Sequence, residues 1–158
     1  MKIRTATPED SALLWQLIQD QVDEMGPDTR QVFDAQRVWN HLQTLWREKP
    51  STHCLWVAEN HQGHLVGMLL GCIQSYFWRT GHQAQLVQWY VHPSSRGSSA
   101  ALRLALAFTA WSRQKQSEEI MIGITSGISP EKSHRLLARL GFVCVGRNYL
   151  RRLPCTSH

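Results

Sequence analysis

Val91-His92-Pro93-Ser94-Ser95-Arg96-Gly97-Ser98-Ser99-Ala100-Ala101-Leu102-Arg103-Leu104-Ala105-Leu106-Ala107-Phe108 is the stretch where an apolar strand stops at a proline and a run of small residues opens straight into a helix. Gly97 to Ala101 carry almost no side-chain bulk, so an anion can approach their backbone N–H groups. A helix beginning here adds unpaired donors and the positive end of its dipole. The segment therefore reads as a phosphate cradle. It is not a Walker loop, which needs Lys-Ser or Lys-Thr after its second glycine, nor a dinucleotide fingerprint, which needs three spaced glycines near the N-terminus. Taken alone, the same residues also fit an ordinary strand-to-helix turn packed by small side chains.

Working outward, residues 83–92 form a strand before the loop and 98–115 the helix after it. Upstream, 53–59 and 65–76 alternate with a period of two and are joined by Asn60-His61-Gln62-Gly63, a hairpin turn by composition. Ile3 and Thr5 begin a first strand. Thr7-Pro8-Glu9-Asp10 is a helix start, with Thr7 as cap and Pro8 at the first position. Leu13, Leu14, Leu17 and Ile18 follow at helical spacing, and Gly26-Pro27-Asp28 ends that helix. A second helix carries Val32, Val38, Trp39, Leu42, Leu45 and Trp46. Downstream, 120–125 is a strand, 130–140 a helix and 142–152 a final extended segment. This order requires a parallel strand pair across the 98–115 helix. It predicts one α/β domain over 1–158, a central mixed sheet flanked by about four helices.

A chain of 158 residues with 42% hydrophobic content and seven Trp is ample for one core. No run approaches the roughly 18 apolar residues of a membrane span, and the N-terminus lacks the apolar centre of a signal peptide, so a cytoplasmic protein without membrane partners is expected. Cys54, Cys72, Cys144 and Cys155 form no Cys-x-x-Cys pair. The first three sit in apolar strand-like segments and read as small buried hydrophobes. The eight His show no ligand spacing on one element, and no metal is expected. A formal charge of +5 suits anionic ligands, but the basic residues are scattered except for Lys132, His134, Arg135 and Arg139 on one helix and Arg147, Arg151 and Arg152 near the end.

The 96–101 hexapeptide resembles motif A of the GNAT superfamily of acyl-CoA-dependent N-acetyltransferases: Gln or Arg, two free positions, Gly, one free position, then Gly or Ala. Ser99 stands where the family usually has glycine. The element order resembles the GNAT order over essentially the whole chain. Ile3 to Asp10 looks like the family's first strand and helix start, and Gly141-Phe142 like its Gly-Phe after the last helix.

The resemblance implies acetyl-CoA as co-substrate and an amine as acceptor, with no nucleic acid and with room for a homodimer. Backbone N–H groups of Arg96, Gly97, Ser98, Ser99, Ala100 and Ala101 would hold the CoA pyrophosphate. Trp89 and Val91 would pair by backbone with the pantetheine arm where two parallel strands splay. Many relatives have Glu three residues ahead of the position of Val91, but this chain has Gln88, which hydrogen-bonds without taking a proton. A water chain, Glu24 or Glu59 would then serve as base. The tyrosine that protonates the thiolate in many relatives is replaced by Leu137, whose stripe with Ser133, Leu136 and Leu140 reads as packing. Of Tyr76, Tyr90 and Tyr149, Tyr90 shares a strand face with Gln88, so it is the candidate for acid or acceptor positioning; a buried cross-strand aromatic is the competing reading.

The acceptor decides how much base catalysis is needed. Deprotonating a lysine-like amine at pH 7 costs about 4.6 kcal/mol, and an α-amine only about 1 kcal/mol. Asp20, Asp23, Glu24, Asp28 and Asp34 lie between the first two helices, the segment that implies acceptor choice in this fold. Asp23 and Glu24 are the candidate substrate-binding residues for a cationic amine, against solvated helix ends. A CoA-binding regulatory protein without turnover, suggested by the missing Glu and Tyr, and a nucleic-acid-binding module, suggested by charge and Trp content, are the alternative classes.

Overall fold

The Thr7-Pro8-Glu9-Asp10 start is realised by the side chain of Asp10, which accepts the Thr7 N–H at 2.8 Å in the computed structural model, described here for residues 1–146. Strand β1 (Lys2–Thr5) leads through a single 3-10 turn at Pro8–Asp10 into helix α1 (Ser11–Met25). Arg4 clamps both Asp10 oxygens at 2.6 and 2.8 Å and reaches Glu59 at 2.9 Å. These bonds tie the helix start to the sheet edge. The Arg4 guanidinium holds the buried Asp10 carboxyl below the usual carboxylate range.

Helix α1 buries Leu14, Leu17, Ile18, Gln21 and Val22, the i, i+3, i+4, i+7, i+8 stripe of an amphipathic helix. Leu13 stands off that stripe and is 52% exposed. The second helix is two: α2 (Pro27–Val32) and α3 (Ala35–Glu48). Asp34 divides them, since its side chain accepts the Arg37 N–H at 2.9 Å and caps α3. Helix α3 lies on α1 through Trp15, whose ring is 6.0 Å from Phe33 and 5.8 Å from Trp39. Trp46 Nε1 also donates to Ser11 Oγ at 3.0 Å.

Strands β2 (His53–Glu59), β3 (Leu65–Ser75) and β4 (His82–Val91) form the expected antiparallel meander. Asn60 Oδ1 shapes its first turn by accepting the N–H groups of Gln62 and His64. Helix α4 (Ala100–Gln114) crosses over to β5 (Glu119–Met121), which runs parallel to β4. The five strands make one mixed sheet in the order β1-β2-β3-β4-β5. Helices α1 and α4 lie against β3, and Leu69, Ala84, Leu104 and Phe108 are among the buried core. Gly67 and Gly71 leave β3 bare toward α4: a Cβ at Gly71 would overlap the Phe108 ring, and one at Gly67 would sit 2.9 Å from the Tyr90 carbonyl oxygen. Cys54 is buried and Cys72 half-buried, as free thiols. Cys144 is exposed, contrary to its apolar surroundings in sequence.

The strand expected over 120–125 is only three residues long. A parallel strand needs a partner to bond to, and β4 bends at Val87, beyond the last pair, Gln85 with Met121.

Met1–Ile122 forms one compact unit and the chain from Gly123 another. Within the second, helix α5 (Pro130–Arg139) presents exposed Lys132, His134, Arg135 and Arg139, while Leu137 is buried as its stripe requires. Gly141, at φ +85°, ends the helix, and the Phe142 N–H returns to the Leu137 carbonyl at 3.0 Å. The final extended segment is not a strand over 142–146, where Val143 and Val145 are exposed. The rest of that segment, with Arg147, Tyr149, Arg151 and Arg152, lies outside the described residues, as does Cys155. Among the described residues no helix is long and apolar enough to cross a membrane.

Candidate active site

The register of β3 on β4 jumps from Leu70 opposite Gln88 to Gly71 opposite Leu86, so Val87 is the extra residue of a bulge. The His92 N–H donates to Val66 at 2.9 Å, toward β3. By the two-residue alternation, the backbone groups of Trp89 and Val91 face the other way, where β5 no longer pairs. Beyond Gln85 no strand of the described residues bonds to that edge, the edge at which the resemblance implies the pantetheine arm. The Val91 carbonyl on that side accepts from Arg96 Nε at 3.0 Å, which leaves its N–H as the group able to meet a strand-like ligand.

Beyond β4 the loop is wound tightly on itself. Pro93–Ser95 is a 3-10 turn, and His92 Nδ1 accepts the Ser94 N–H. The Arg96 and Ser98 amides close onto the Pro93 and Ser95 carbonyls, each at 3.2 Å, and the Ala100 amide reaches Ser98 Oγ at 3.2 Å. The amides of Gly97, Ser99, Ala101 and Leu102 donate to no acceptor among the described residues. Gly97 has φ +90°, a conformation that side chains disfavour, and a Cβ there would meet nothing within 4 Å. The loop therefore presents a concentrated set of free donors at an open surface, at the start of a 15-residue helix.

The face of β4 under α1 is polar. Gln88, Tyr90 and His92 project from it two residues apart, and each meets a side chain of α1. Gln88 Nε2 donates to Gln21 Oε1 at 2.6 Å, Tyr90 Oη donates to Glu24 Oε2 at 3.3 Å, and His92 Nε2 stands 3.9 Å from Asp20 Oδ2. Burial, and next the Glu24 charge, push the Tyr90 hydroxyl up to about 12, so it stays a neutral donor at physiological pH. Arg96 holds the Glu24 carboxyl below the usual range, so it stays ionised. A cavity of about 400 Å³ adjoins the His92 end of this ladder, between Leu17, Asp20 and the β2–β3 turn.

The other sequence candidates disperse. Asp23, one residue from Glu24, points to solvent and pairs with Arg30 at 2.8 Å. Glu59 belongs to the Arg4 cluster on β2, two strands from β4. Tyr76 lies in the β3–β4 loop, donating to Glu119 under the Arg79 guanidinium. The acidic segment is thus met by an arginine at two points, by Arg30 of α2 at Asp23 and by Arg96 of the loop at Glu24. Gln21 and His92 were not singled out from sequence. Gln21 had a signal, a polar residue on the Leu14, Leu17, Ile18 stripe; His92 shared the two-residue period of Gln88 and Tyr90.

The acetyltransferase (GNAT) family model matches residues 14–142. The chain belongs to the GNAT acetyltransferase family. No curated protein matches it in sequence. Among solved structures it is similar in fold to a probable acetyltransferase, with TM-score 0.76 at 17% identity over 100% of both chains. It is also similar to the ribosomal-protein-alanine N-acetyltransferase of Brucella melitensis biovar Abortus 2308, with TM-score 0.70 at 15% identity over 97% of this chain and 100% of that one. A third is AAC(6')-Iy in complex with the bisubstrate analog CoA-S-monomethyl-acetylneamine, with TM-score 0.68 at 18% identity over 98% of both.

Proposed function

We propose that this GNAT protein transfers the acetyl group of acetyl-CoA to an amine, the two substrates meeting on β4 in a ternary complex. The observation that carries this reading is an edge of β4 that no strand of the described residues pairs beyond Gln85, leading through the Pro93–Ser95 turn into a loop where four amides have no acceptor among those residues. The group's chemistry fits these donors. Its phosphates would accept the Gly97, Ser99, Ala101 and Leu102 amides, and its amide-bearing arm the backbone of Trp89 and the Val91 N–H. Trp89 is partly buried on that strand, and its buried indole Nε1 has no acceptor among the described residues. Acetyl-CoA supplies the activated acyl group when bound.

The chain's own residues then have separable tasks. Gln88, fixed by its bond to Gln21, keeps its side-chain oxygen free to accept from an incoming amine N–H. Tyr90 donates without titrating. Glu24 supplies a fixed negative charge against an arginine, which suits orientation of the acceptor more than proton abstraction. The acceptor's own basicity therefore sets most of the proton cost, at tenfold in rate for each pKa unit left uncompensated.

Calorimetric CoA binding followed by a thiol-release assay against neutral and cationic amines tests the reading. Binding with amine-dependent release is the expected result. CoA binding with no release over the whole panel would instead favour a CoA-responsive regulatory protein, a reading that Gln88 and Leu137 at the usual Glu and Tyr positions support.

A further inference from the structure

Arg96 is the one residue of the 96–101 loop with a long side chain, and that side chain turns back onto the α1 face. Its Nε donates to the Val91 carbonyl at 3.0 Å, while Nη1 and Nη2 reach the two Glu24 oxygens at 2.5 and 2.6 Å. The guanidinium carbon lies 5.7 Å from the centre of the Tyr90 ring, whose hydroxyl bonds the same carboxylate. At the other end of the residue, the Arg96 amide closes the Pro93 turn and the next residue is Gly97 in its left-handed conformation. A planar fork on a carboxylate is among the most directional contacts a protein makes, and both side chains here are only 27% exposed.

We propose that Arg96 is a positioning residue that couples the cofactor loop to the acceptor face. Its backbone is part of the loop and its guanidinium fixes Glu24, which is 72 residues away in sequence on α1. The loop therefore cannot shift against β4 without moving Glu24, and the state of Glu24 is felt at the loop. Such coupling is reciprocal: whatever steadies Glu24 tightens the loop's ligand, and a filled loop steadies Glu24 for the acceptor. The proposal rests on the reading of 96–101 as the CoA loop.

Calorimetric titration with CoA of the full chain, of Glu24→Gln, of Arg96→Gln and of the double variant tests it, with melting curves recorded alongside. Glu24→Gln should weaken CoA about fivefold or more, although Glu24 is on a different element from the loop. The double variant should be no weaker than Arg96→Gln, because the second change removes an interaction already lost. Arg96→Lys, which keeps the charge and loses the fork, should fall between wild type and Arg96→Gln. Should Glu24→Gln fail to fold, Glu24→Asp, which shortens the arm by one methylene, is read in the same way. A folded Glu24 variant within twofold of wild-type CoA affinity, or effects that simply add in the double variant, overturns the coupling alone. A folded wild type that does not bind CoA overturns the functional reading and the coupling with it.

Discussion

On the α4 face of the sheet, Leu69, Leu104 and Phe108 close over two bare glycines of β3, with Leu86, Trp89 and Val91 at the margin. On the α1 face of the same β4 strand, Gln88, Tyr90 and His92 each meet a polar side chain, and an arginine from the loop joins them. The first face is held by volume and the loss of apolar surface from water. The second is held by direction and charge. Substitutions on the α4 face should therefore read out in stability, and substitutions in the polar ladder of β4 chiefly in ligand binding, with no more than about 1 kcal/mol of stability at stake.

The largest effect expected is Phe108→Ala. The ring is fully buried and stacks on Trp111 at 5.9 Å, so truncation should cost about 3–5 kcal/mol by chemical denaturation. That is a large share of a typical domain's stability. A variant of native stability that had lost only CoA binding would reverse the assignment of this face.

Gly97 sharpens the contrast at the loop, where neither face is packed. Both Gly97→Ala and Gly97→Glu force a side chain into φ +90°, at about 1–2 kcal/mol of backbone strain. Only Glu adds a negative charge beside the free amides. CoA affinity by calorimetry should fall at least about tenfold further for Glu than for Ala, a difference of about 1.4 kcal/mol. Equal losses in the two variants would mean that the loop binds no phosphate.

Acid should find the α1 face before the α4 face. Arg96 depresses the Glu24 carboxyl below its ordinary value, so the pair's stabilisation is fully present above the unfolded value of about 4.3 and is lost as pH falls through the lower folded one. With both side chains partly exposed, the contribution is up to about 1 kcal/mol. Wild type should lose melting temperature more steeply than Glu24→Gln as pH drops below about 4. Parallel curves would mean that the pair is not formed in solution.

The same division decides what could be read from the sequence. The α4 face was legible because burial leaves a period: the meander and the long helix after the loop follow from where apolar residues recur, as does, in the unit from Gly123, the buried Leu137. The small-residue run after Pro93 was legible because an open turn at a helix start is a local property of the chain. The α1 face was not, since a polar side chain carries no mark of its partner. Arg96 was placed by motif as a backbone donor, yet its side chain acts on a residue 72 positions away. The break at Asp34 and the early end of β5 were missed for related reasons. A capping aspartate looks like any acidic surface residue, and the length of a parallel strand depends on a bulge in its neighbour.

Asp23 and Glu24 make the narrowest form of the comparison, two adjacent acids of which the helix turns one outward and one inward. Asp23 and its partner Arg30 are 63% and 61% exposed, so water and salt screen the pair and its contribution is within about 0.5 kcal/mol. The spacing of 100° per residue puts Asp23 beyond the stripe on which Gln21 and Glu24 reach β4. Asp23→Asn should therefore leave denaturation midpoint, CoA affinity and the KM for any amine unchanged within error, at low salt as well as at high. A rise in KM for cationic amines alone, abolished by salt, would show that the acidic segment acts on the acceptor as a field despite its arginine partners. Glu24 would then share that work with Asp23.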